Sequence, residues 1–170
     1  MGIEIERRFL VEGKDWKNQV SHSEGFRQGY LNSNKDAWTT RVRVIDSKKG
    51  FLTLKSSINR FINHEFEYPI PIEDAIQLLN LSKHKIAKTR YQLKINDKDW
   101  VVDSFEDLNK SLTIAEIELD SEREDILIPC WCGLEITGNK SLSNASLARK
   151  PISKLSIKDR IKDNDPQQNS

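Results

Sequence analysis

Pairs of like-charged residues two positions apart recur along this chain. The acidic pairs are Glu4 with Glu6, Glu65 with Glu67, and Glu116 with Glu118, and the basic pairs are Arg41 with Arg43 and Lys88 with Arg90. A single basic residue, Lys55, lies two positions after the polar Thr53. Apolar residues such as Ile5, Val42 and Ile117 separate the members. Because residues i and i+2 of a β-strand point to the same face, each pair places two like charges on one side of its strand.

The sequence lacks the signatures of the common catalytic loops. There is no G-x-x-x-x-G-K-[ST] phosphate loop, no G-x-G-x-x-G turn and no G-x-S-x-G nucleophile elbow. His22, His64 and His84 have no metal-ligand spacing and are expected at the surface. Any chemistry must therefore come from carboxylates and cations, together with a bound metal ion.

The elements that must position these residues are mainly strands. Period-two alternation predicts eight of them, over Ile3–Val11, Gln28–Leu31, Thr40–Ile45, Phe51–Lys55, Phe61–Ile70, Ile86–Ile95, Trp100–Phe105 and Thr113–Leu119. Turn-forming residues at 46–50 and 96–99 predict antiparallel hairpins. Helices are predicted over Glu73–Leu81, with Ile72, Ile76 and Leu79 on one stripe, over Leu142–Lys150, which Pro151 limits, and over the short segment Asp15–Val20.

Two arrangements of such strands are open from the pattern alone. An antiparallel sheet commonly has one face packed and one face in water, so any one of these strands is typical of a solvated face. A solvated face would usually mix the two signs, however, whereas these strands are sorted by sign. Eight strands can also close into a barrel, and inward-pointing charges would then give it acidic and basic walls, with the outer apolar faces covered by the helices.

Length and composition predict one globular domain. The chain has 170 residues, of which 36% are hydrophobic and 31% charged, and a domain of this size can bury roughly 70% of its unfolded surface. Residues 1–155 are expected to form the domain. Residues 156–170 are polar and aperiodic, so they are expected to form a disordered tail.

Net charge, hydropathy and cysteine content indicate which partners and which cellular compartment to expect. The 27 basic and 26 acidic residues give a net charge of +1, which disfavours binding to duplex nucleic acid. No stretch approaches the ~20 apolar residues of a membrane span, and Glu4 and Glu6 lie where a signal peptide would be basic and then apolar. Cys130 and Cys132 are expected to be buried thiols of a cytoplasmic protein.

Several segments follow one another in a recognisable order. Residues 4–11 read E-I-E-R-R-F-L-V, and they are followed by Gln28–Leu31, Arg41–Arg43, Leu52–Lys55, Arg60, Glu65–Glu67, Lys88–Tyr91, Trp100–Asp103, Ala115–Leu119, Glu135–Thr137 and Asn144–Ala148. This series, over roughly the first 150 residues, resembles the CYTH, or triphosphate tunnel metalloenzyme, superfamily, whose N-terminal strand reads E-x-E-x-K. The resemblance implies a mainly β fold of the α+β type, a closed eight-stranded antiparallel β-barrel with a few helices packed outside.

The resemblance also implies roles for the charged residues. Glu4, Glu6, Glu116 and Glu118 match acids that hold Mg²⁺ or Mn²⁺, and Glu65 and Glu67 match further acids of the tunnel. The cations Arg8, Arg41, Arg43, Lys55, Lys88 and Arg90 match residues that grip phosphate oxygens. Hard cations prefer such oxygen ligands, and phosphoryl transfer depends mainly on positioning and charge neutralisation.

One position departs from the family pattern, because Arg8 stands where the motif usually has lysine. Arginine can clamp phosphate with two hydrogen bonds, but it is effectively never deprotonated and cannot act as a base. In relatives the lysine is thought to act with the tyrosine that matches Tyr30 on the attacking water. Here that pairing is weakened, and Glu67 is an alternative group for activating water.

The function expected from the resemblance is metal-dependent hydrolysis of a linear triphosphate, with inorganic tripolyphosphate as the expected substrate. The enzyme alternatives are an adenylate cyclase and a phosphatase of thiamine or nucleoside triphosphates. A third alternative, of another class, is a non-catalytic module that binds polyphosphate or nucleotide, with Arg8 marking lost turnover. A small-molecule triphosphate is the expected partner, and both a monomer and a homodimer are compatible with the sequence.

Overall fold

The computed structural model describes residues 2–32, 38–152, 157 and 161. Its strands are β1 (Gly2–Val11), β2 (Val20–Asn32), β3 (Thr39–Ile45), β4 (Lys49–Ser57), β5 (Ile62–Ile70), β6 (His84–Ile95), β7 (Lys98–Phe105), β8 (Thr113–Glu118) and β9 (Cys132–Glu135). Its α-helices are α1 (Ile72–Leu81) and α2 (Asn144–Arg149), and short 3-10 turns cover Asp15–Gln19, Asp107–Asn109 and Lys140–Leu142. None of these helices is long and apolar enough to span a membrane.

Eight strands close into an antiparallel barrel, as predicted. The order around it is β5-β4-β3-β2-β6-β7-β8-β1, and β1 pairs with β5 to complete the ring. The hairpins β3–β4 and β6–β7 turn through Asp46 and Ser47 and through Asn96 and Asp97, all with positive φ. This left-handed geometry suits the tight turns that join twisted strands, and it confirms the predicted hairpins.

Apolar groups cover two parts of the outer surface of the barrel. The larger group packs the outer faces of β1, β6, β7 and β8 beneath Trp16 and Trp131. The smaller one packs α1 against Val42 and Val44 of β3, with Ala75 wholly buried between them. Gly50 permits this approach, because a Cβ atom there would lie 2.5 Å from Ala75 Cβ. The expected outer cover is therefore only partly helical, since Trp131 belongs to an irregular segment.

A third apolar group closes one end of the barrel. Tyr30, Ile86, Phe105 and Ile114 share the inner faces of their strands with charged residues. These four side chains pack with Leu142, Leu147 and Ile152, which come from the chain after β9. At the other end the inner-face residues Gln92 and Glu118 are exposed. In the part of the chain that the structure describes, the interior is therefore a cup, closed at one end and open at the other.

Several sequence expectations need correction. The strand expected at Gln28–Leu31 begins much earlier, at Val20, because β2 pairs with β6 from Val20 to Tyr30. β9 was not expected, and it pairs outside the barrel with the end of β1. Ile76 does not share the buried stripe of α1, because the helix presents Ala75 to the barrel and leaves Ile76 40% exposed.

The C-terminal helix and the cysteines also differ from expectation. The helix begins at Asn144, since Leu142 lies in the preceding 3-10 turn and the Ser143 side chain accepts a hydrogen bond from the Ser146 amide. Cys130 is exposed and Cys132 is half-buried, so these free thiols are not the buried pair that was expected. Most of residues 156–170 lie outside the described part of the chain, whereas Ile157 and Ile161 are helical and pack against the closing cluster.

Candidate active site

The charged residues singled out in the sequence line the inner wall of the barrel. Register places Glu6 opposite Glu118, Arg8 opposite Glu116, and Arg41 opposite Tyr30 and Thr53. On the neighbouring strands Thr53 is opposite Glu67 and Lys55 is opposite Glu65. Residues opposite one another in a sheet point to the same face, so one interior gathers acids and cations that are far apart in sequence.

An acidic group surrounds Lys55 where β1 meets β5. The Lys55 ammonium contacts Glu4 Oε2 and lies 3.0 Å from Glu65 Oε2 and 3.8 Å from Glu6 Oε1. Burial and neighbouring carboxylates raise the pKa of Glu4 and of Glu6, although Lys55 acts in the opposite direction. For Lys55 the three carboxylates outweigh burial and raise its pKa above the ordinary value.

A cationic group lies on β3. Arg41 Nη2 is 3.4 Å from carboxylate oxygens of both Glu65 and Glu67, and 3.1 Å from Thr53 Oγ1. Arg43 reaches Glu67 at 3.3 Å, but its Nε is buried without a hydrogen-bond partner. Burial and repulsion from Arg41 lower the pKa of Arg43 to about 10, so it remains charged at neutral pH.

A buried ion network connects three further strands. Asp103 receives two hydrogen bonds of 2.7 Å from Arg90 and a contact from Lys88 Nζ. Arg90 continues to Glu116 at 2.8 Å, and Arg8 Nε donates to the other oxygen of Glu116 at 3.0 Å. Burial raises the pKa of Glu116, but Arg8 and Arg90 outweigh it and hold that pKa well below the ordinary value. Burial also lowers the pKa of Lys88 to about 8, although Asp103 acts in the opposite direction.

Arg8 connects this network to the closed end of the cup. Its Nη2 donates to the Leu142 carbonyl at 3.2 Å, and its backbone amide donates to Thr137 Oγ1 at 3.0 Å. Tyr30 lies nearby on the inner face of β2, where its hydroxyl donates to Gln28 Oε1 at 3.2 Å. Burial raises the pKa of Tyr30 despite the nearby arginines, so its phenol is protonated at neutral pH.

The interior thus brings together Glu4, Glu6, Glu65, Glu67, Glu116 and all six predicted cations, whereas Glu118 is exposed at the mouth. Sequence reasoning did not assign a role to Asp103 or Thr53, both wholly buried within these networks. Alternation on β7 places Asp103 inside. A single acid between Val102 and Ser104 carries none of the repeated-charge signal that singled out the other strands.

The donor set fits a hard divalent cation. Glu4, Glu6, Glu65 and Glu116 supply carboxylate oxygens; burial, and then repulsion between carboxylates, raises the pKa of Glu4 and of Glu6. Glu65 Oε2 accepts no well-directed hydrogen bond. Within the described residues no three acidic, histidine or cysteine side chains already form a metal cage. Mg²⁺ usually takes one or two carboxylates and completes its shell with water and substrate phosphate, so a ready-made cage is not required.

Comparison with known proteins agrees with this geometry. The CYTH domain model matches residues 2–150. An inorganic triphosphatase from Acetivibrio thermocellus is 38% identical over 153 residues, which cover 89% of this chain and 96% of that protein. A solved structure of an inorganic triphosphatase is 31% identical with a TM-score of 0.60, over 85% of this chain and 93% of that one.

A more distant structure shares the fold alone. It is an adenylyl cyclase candidate from Hippeastrum, described as having a dominant triphosphatase activity, and it is 15% identical with a TM-score of 0.54. The alignment covers 71% of this chain and 80% of that one. The family match spans all eight strands of the barrel and the charged interior that they form. This chain belongs to the CYTH domain family.

Proposed function

We propose that this protein hydrolyses a linear triphosphate, inorganic tripolyphosphate, to diphosphate and phosphate with the help of Mg²⁺ or Mn²⁺. The observation that carries the proposal is the pair of neighbouring inward-facing arginines, Arg41 and Arg43. These two arginines repel one another, and Arg43 Nε is buried without a partner. A polyanion would supply the missing acceptor and reduce the repulsion between the arginines, through charge-assisted hydrogen bonds.

The chain's own residues suggest how the phosphate chain is held. Arg41, Arg43 and Arg90 face the interior, and Phe26 lies between Arg43 and Arg90, with guanidinium carbons 5.4 and 5.3 Å from its ring centre. This packing holds the two guanidinium groups apart in fixed orientations, so they present donors without reorganising. Preorganised donors of this kind stabilise charge that develops on phosphate oxygens.

Attack by water on the terminal phosphorus forms one P–O bond and breaks the phosphoanhydride bond, releasing diphosphate. Glu67 accepts a 2.7 Å hydrogen bond from Thr53 and lies beside both arginines, so it is placed to orient the water and receive its proton. Tyr30 is held protonated and can donate a hydrogen bond but cannot act as a base. Arg8 supplies fixed positive charge.

Glu4, Glu6, Glu65 and Glu116 are the residues that would hold the divalent cation, and Glu67 and the exposed Glu118 lie beside this set. When bound, the ion neutralises phosphate oxygens and favours departure of the diphosphate. The inorganic triphosphatase from Acetivibrio thermocellus supports the substrate class, at 38% identity over nearly the whole of both chains.

The test is phosphate release from tripolyphosphate with Mg²⁺ or Mn²⁺, beside ATP, thiamine triphosphate and diphosphate. We expect tripolyphosphate to be the best substrate. Glu6→Gln should lower turnover by about a hundred-fold, the scale seen when one group that stabilises developing charge is removed. Glu12→Gln, at an exposed position just beyond β1, should leave turnover unchanged.

Other outcomes would favour the other functions. Faster turnover of ATP with release of diphosphate and a cyclic nucleotide would identify a cyclase, and faster turnover of thiamine triphosphate would identify a phosphatase of that ester. A rise in melting temperature with tripolyphosphate, without any phosphate release, would identify a binding module. Each of these results would contradict the proposed hydrolysis of tripolyphosphate.

A further inference from the structure

Lys55 lies where carboxylates from two strands converge at the seam that closes the barrel. Its ammonium group contacts Glu4, lies 3.8 Å from Glu6, both on β1, and lies 3.0 Å from Glu65 on β5. β1 and β5 pair directly only over residues Gly2 to Ile5. One monovalent cation is therefore shared by three acids that belong to both sides of the seam.

The charge balance at this point is incomplete. Burial is the largest effect that raises the pKa of Glu4 and of Glu6, and Lys55 is the largest effect that lowers both. The acids in turn keep Lys55 protonated. Glu65 is also contacted by Arg41, but among the described residues Glu4 and Glu6 both rely on the Lys55 ammonium as their ion-pair partner. The two carboxylates of β1 therefore carry net negative charge, which a divalent ion in the same place would neutralise more fully.

An ammonium ion and a divalent metal compete for the same oxygens. Lysine carries a compact charge on a flexible four-carbon stem, so it can leave the carboxylates while its backbone stays in β4. We propose that Lys55 is a built-in competitor of the metal, which binds fully only when the Lys55 ammonium swings away toward a bound phosphate chain. The inference rests on the metal and triphosphate of the proposed function and adds that each promotes binding of the other through Lys55.

The first test measures metal binding to the protein without substrate. Lys55→Met replaces the ammonium by a neutral side chain of similar length, and calorimetry should show Mn²⁺ binding about ten-fold tighter or more, roughly 1.4 kcal/mol. Lys49→Met removes a charge from an exposed lysine of the same strand and should leave Mn²⁺ affinity unchanged. Equal affinity of wild type and Lys55→Met, or no binding by either, would overturn the proposal.

A second measurement uses the wild-type protein, because unneutralised acids could prevent Lys55→Met from folding. The side-chain ¹³Cε resonance of Lys55, assigned by its absence in Lys55→Arg, should shift as Mg²⁺ is added and saturate with the calorimetric binding curve. A resonance that stays fixed while Mg²⁺ binds would show that the ammonium does not move, and the proposal would be wrong.

Failure of the proposed function would look different. If wild type released no phosphate from tripolyphosphate while Lys55→Met bound Mn²⁺ more tightly, hydrolysis would be rejected and the competition would stand. If wild type released phosphate while Lys55→Met bound Mn²⁺ no more tightly, the competition would be rejected and hydrolysis would stand.

Discussion

At the scale of single residues, Arg41 is a cation that divides its contacts among three partners. It faces two carboxylates of β5 at 3.4 Å and a hydroxyl of β4 at 3.1 Å. No one of these contacts is the short, paired bond that Arg90 makes with Asp103. Such long contacts can be exchanged for phosphate oxygens at little cost in free energy. We therefore expect Arg41 to bind substrate, whereas Arg90 mainly holds the buried network together.

We therefore expect Arg41→Ala to weaken binding of tripolyphosphate by about ten-fold to a hundred-fold, since a hydrogen bond to a charged group contributes roughly 1.5–3 kcal/mol. The empty protein should lose little stability, because repulsion of Arg43 is relieved. Calorimetric titration checks the affinity, with Arg27→Ala at an exposed position of β2 as the matched control. Unchanged affinity for Arg41→Ala would place the phosphate chain elsewhere.

Asp103 is the residue on which the buried network depends most. Asp103→Asn leaves Lys88 and Arg90 without a full counter-charge in a wholly buried place, so it should destabilise the fold by about 3–5 kcal/mol. Asp99→Asn, exposed on the same strand, should change stability little. Urea unfolding of both variants measures the difference, and a cost for Asp103→Asn no greater than that for Asp99→Asn would contradict the assigned network.

The same network sets how stability responds to acid. Lys88 and Arg90 hold the pKa of Asp103 below its ordinary 3.8, and Arg8 and Arg90 hold that of Glu116 below 4.5, although burial acts against both. The folded carboxylates bind protons less readily than the unfolded ones. Their stabilisation is therefore complete above about pH 4.5 and is lost progressively below it.

Glu4 and Glu6 contribute with the opposite sign, because their pKa values are raised. They favour the folded state more as they become protonated, so they partly offset the loss from Asp103 and Glu116. Unfolding measured from pH 6 to pH 3 should show a steeper acid loss in Glu4→Gln than in wild type. A shallower loss in that variant would contradict the raised pKa.

At the scale of elements, alternation predicted the barrel strands because most of them carry apolar residues outward and charged residues inward. The start of β2 was not predicted, because its outer positions Ser21 and Ser23 are polar and hide the alternation. β9 has only four residues, one of them Gly133, which is too short for the pattern to register. α1 was predicted, but its buried side depends on the approach of Ala75 to Gly50, which no local pattern encodes.

The residues of the candidate site could likewise be predicted only in part. Repeated charges identified the interior residues, but their pairing could not be predicted because it depends on strand order and register. Thus β4 brings Lys55 to acids of β1 that are 49 or more positions away in sequence. The hydrogen bond from Arg8 to the Leu142 carbonyl, between residues far apart in sequence, could not be predicted for the same reason.

Arg8 joins β1 to the segment that closes the cup, and this connection needs a guanidinium group. Its Nε donates to Glu116 while its Nη2 donates to the Leu142 carbonyl, a divergence that the single nitrogen of lysine cannot reproduce. Arg8→Lys should therefore cost about 1.5–3 kcal/mol of stability. Arg7→Lys, on the half-exposed outer face, should cost under about 1 kcal/mol.

The same variant tests the chemistry of this position. If Arg8 acts only as a fixed charge, Arg8→Lys should leave turnover of tripolyphosphate and its pH optimum nearly unchanged. A gain of about ten-fold, equal to roughly 1.4 kcal/mol in the barrier, would show that lysine helps to activate water and that the arginine weakens the site. The pH–rate profiles of both proteins decide between the two.

At the scale of the whole molecule, the closing cluster is what turns a barrel into a cup. Leu147 of α2 is wholly buried in it with Tyr30 and Ile86. Leu147→Ala should lower the free energy of unfolding by about 2–5 kcal/mol, whereas Leu81→Ala at an 80% exposed position should have little effect. Thermal unfolding of the two variants measures this, and equal melting temperatures would show that the cluster does not support the fold.

The closed end of the barrel also limits which phosphate polymers could be cleaved in the interior. If the protein cleaves phosphate chains as proposed, a chain would not pass through the barrel from end to end. It would enter by one free end, and the fragment left after cleavage would leave by the same opening. Chains blocked by bulky groups at both ends should be resistant, and long chains should be shortened from their ends rather than cut at random in the middle. Departing fragments and incoming chains share one passage, so accumulated diphosphate should slow each round of turnover.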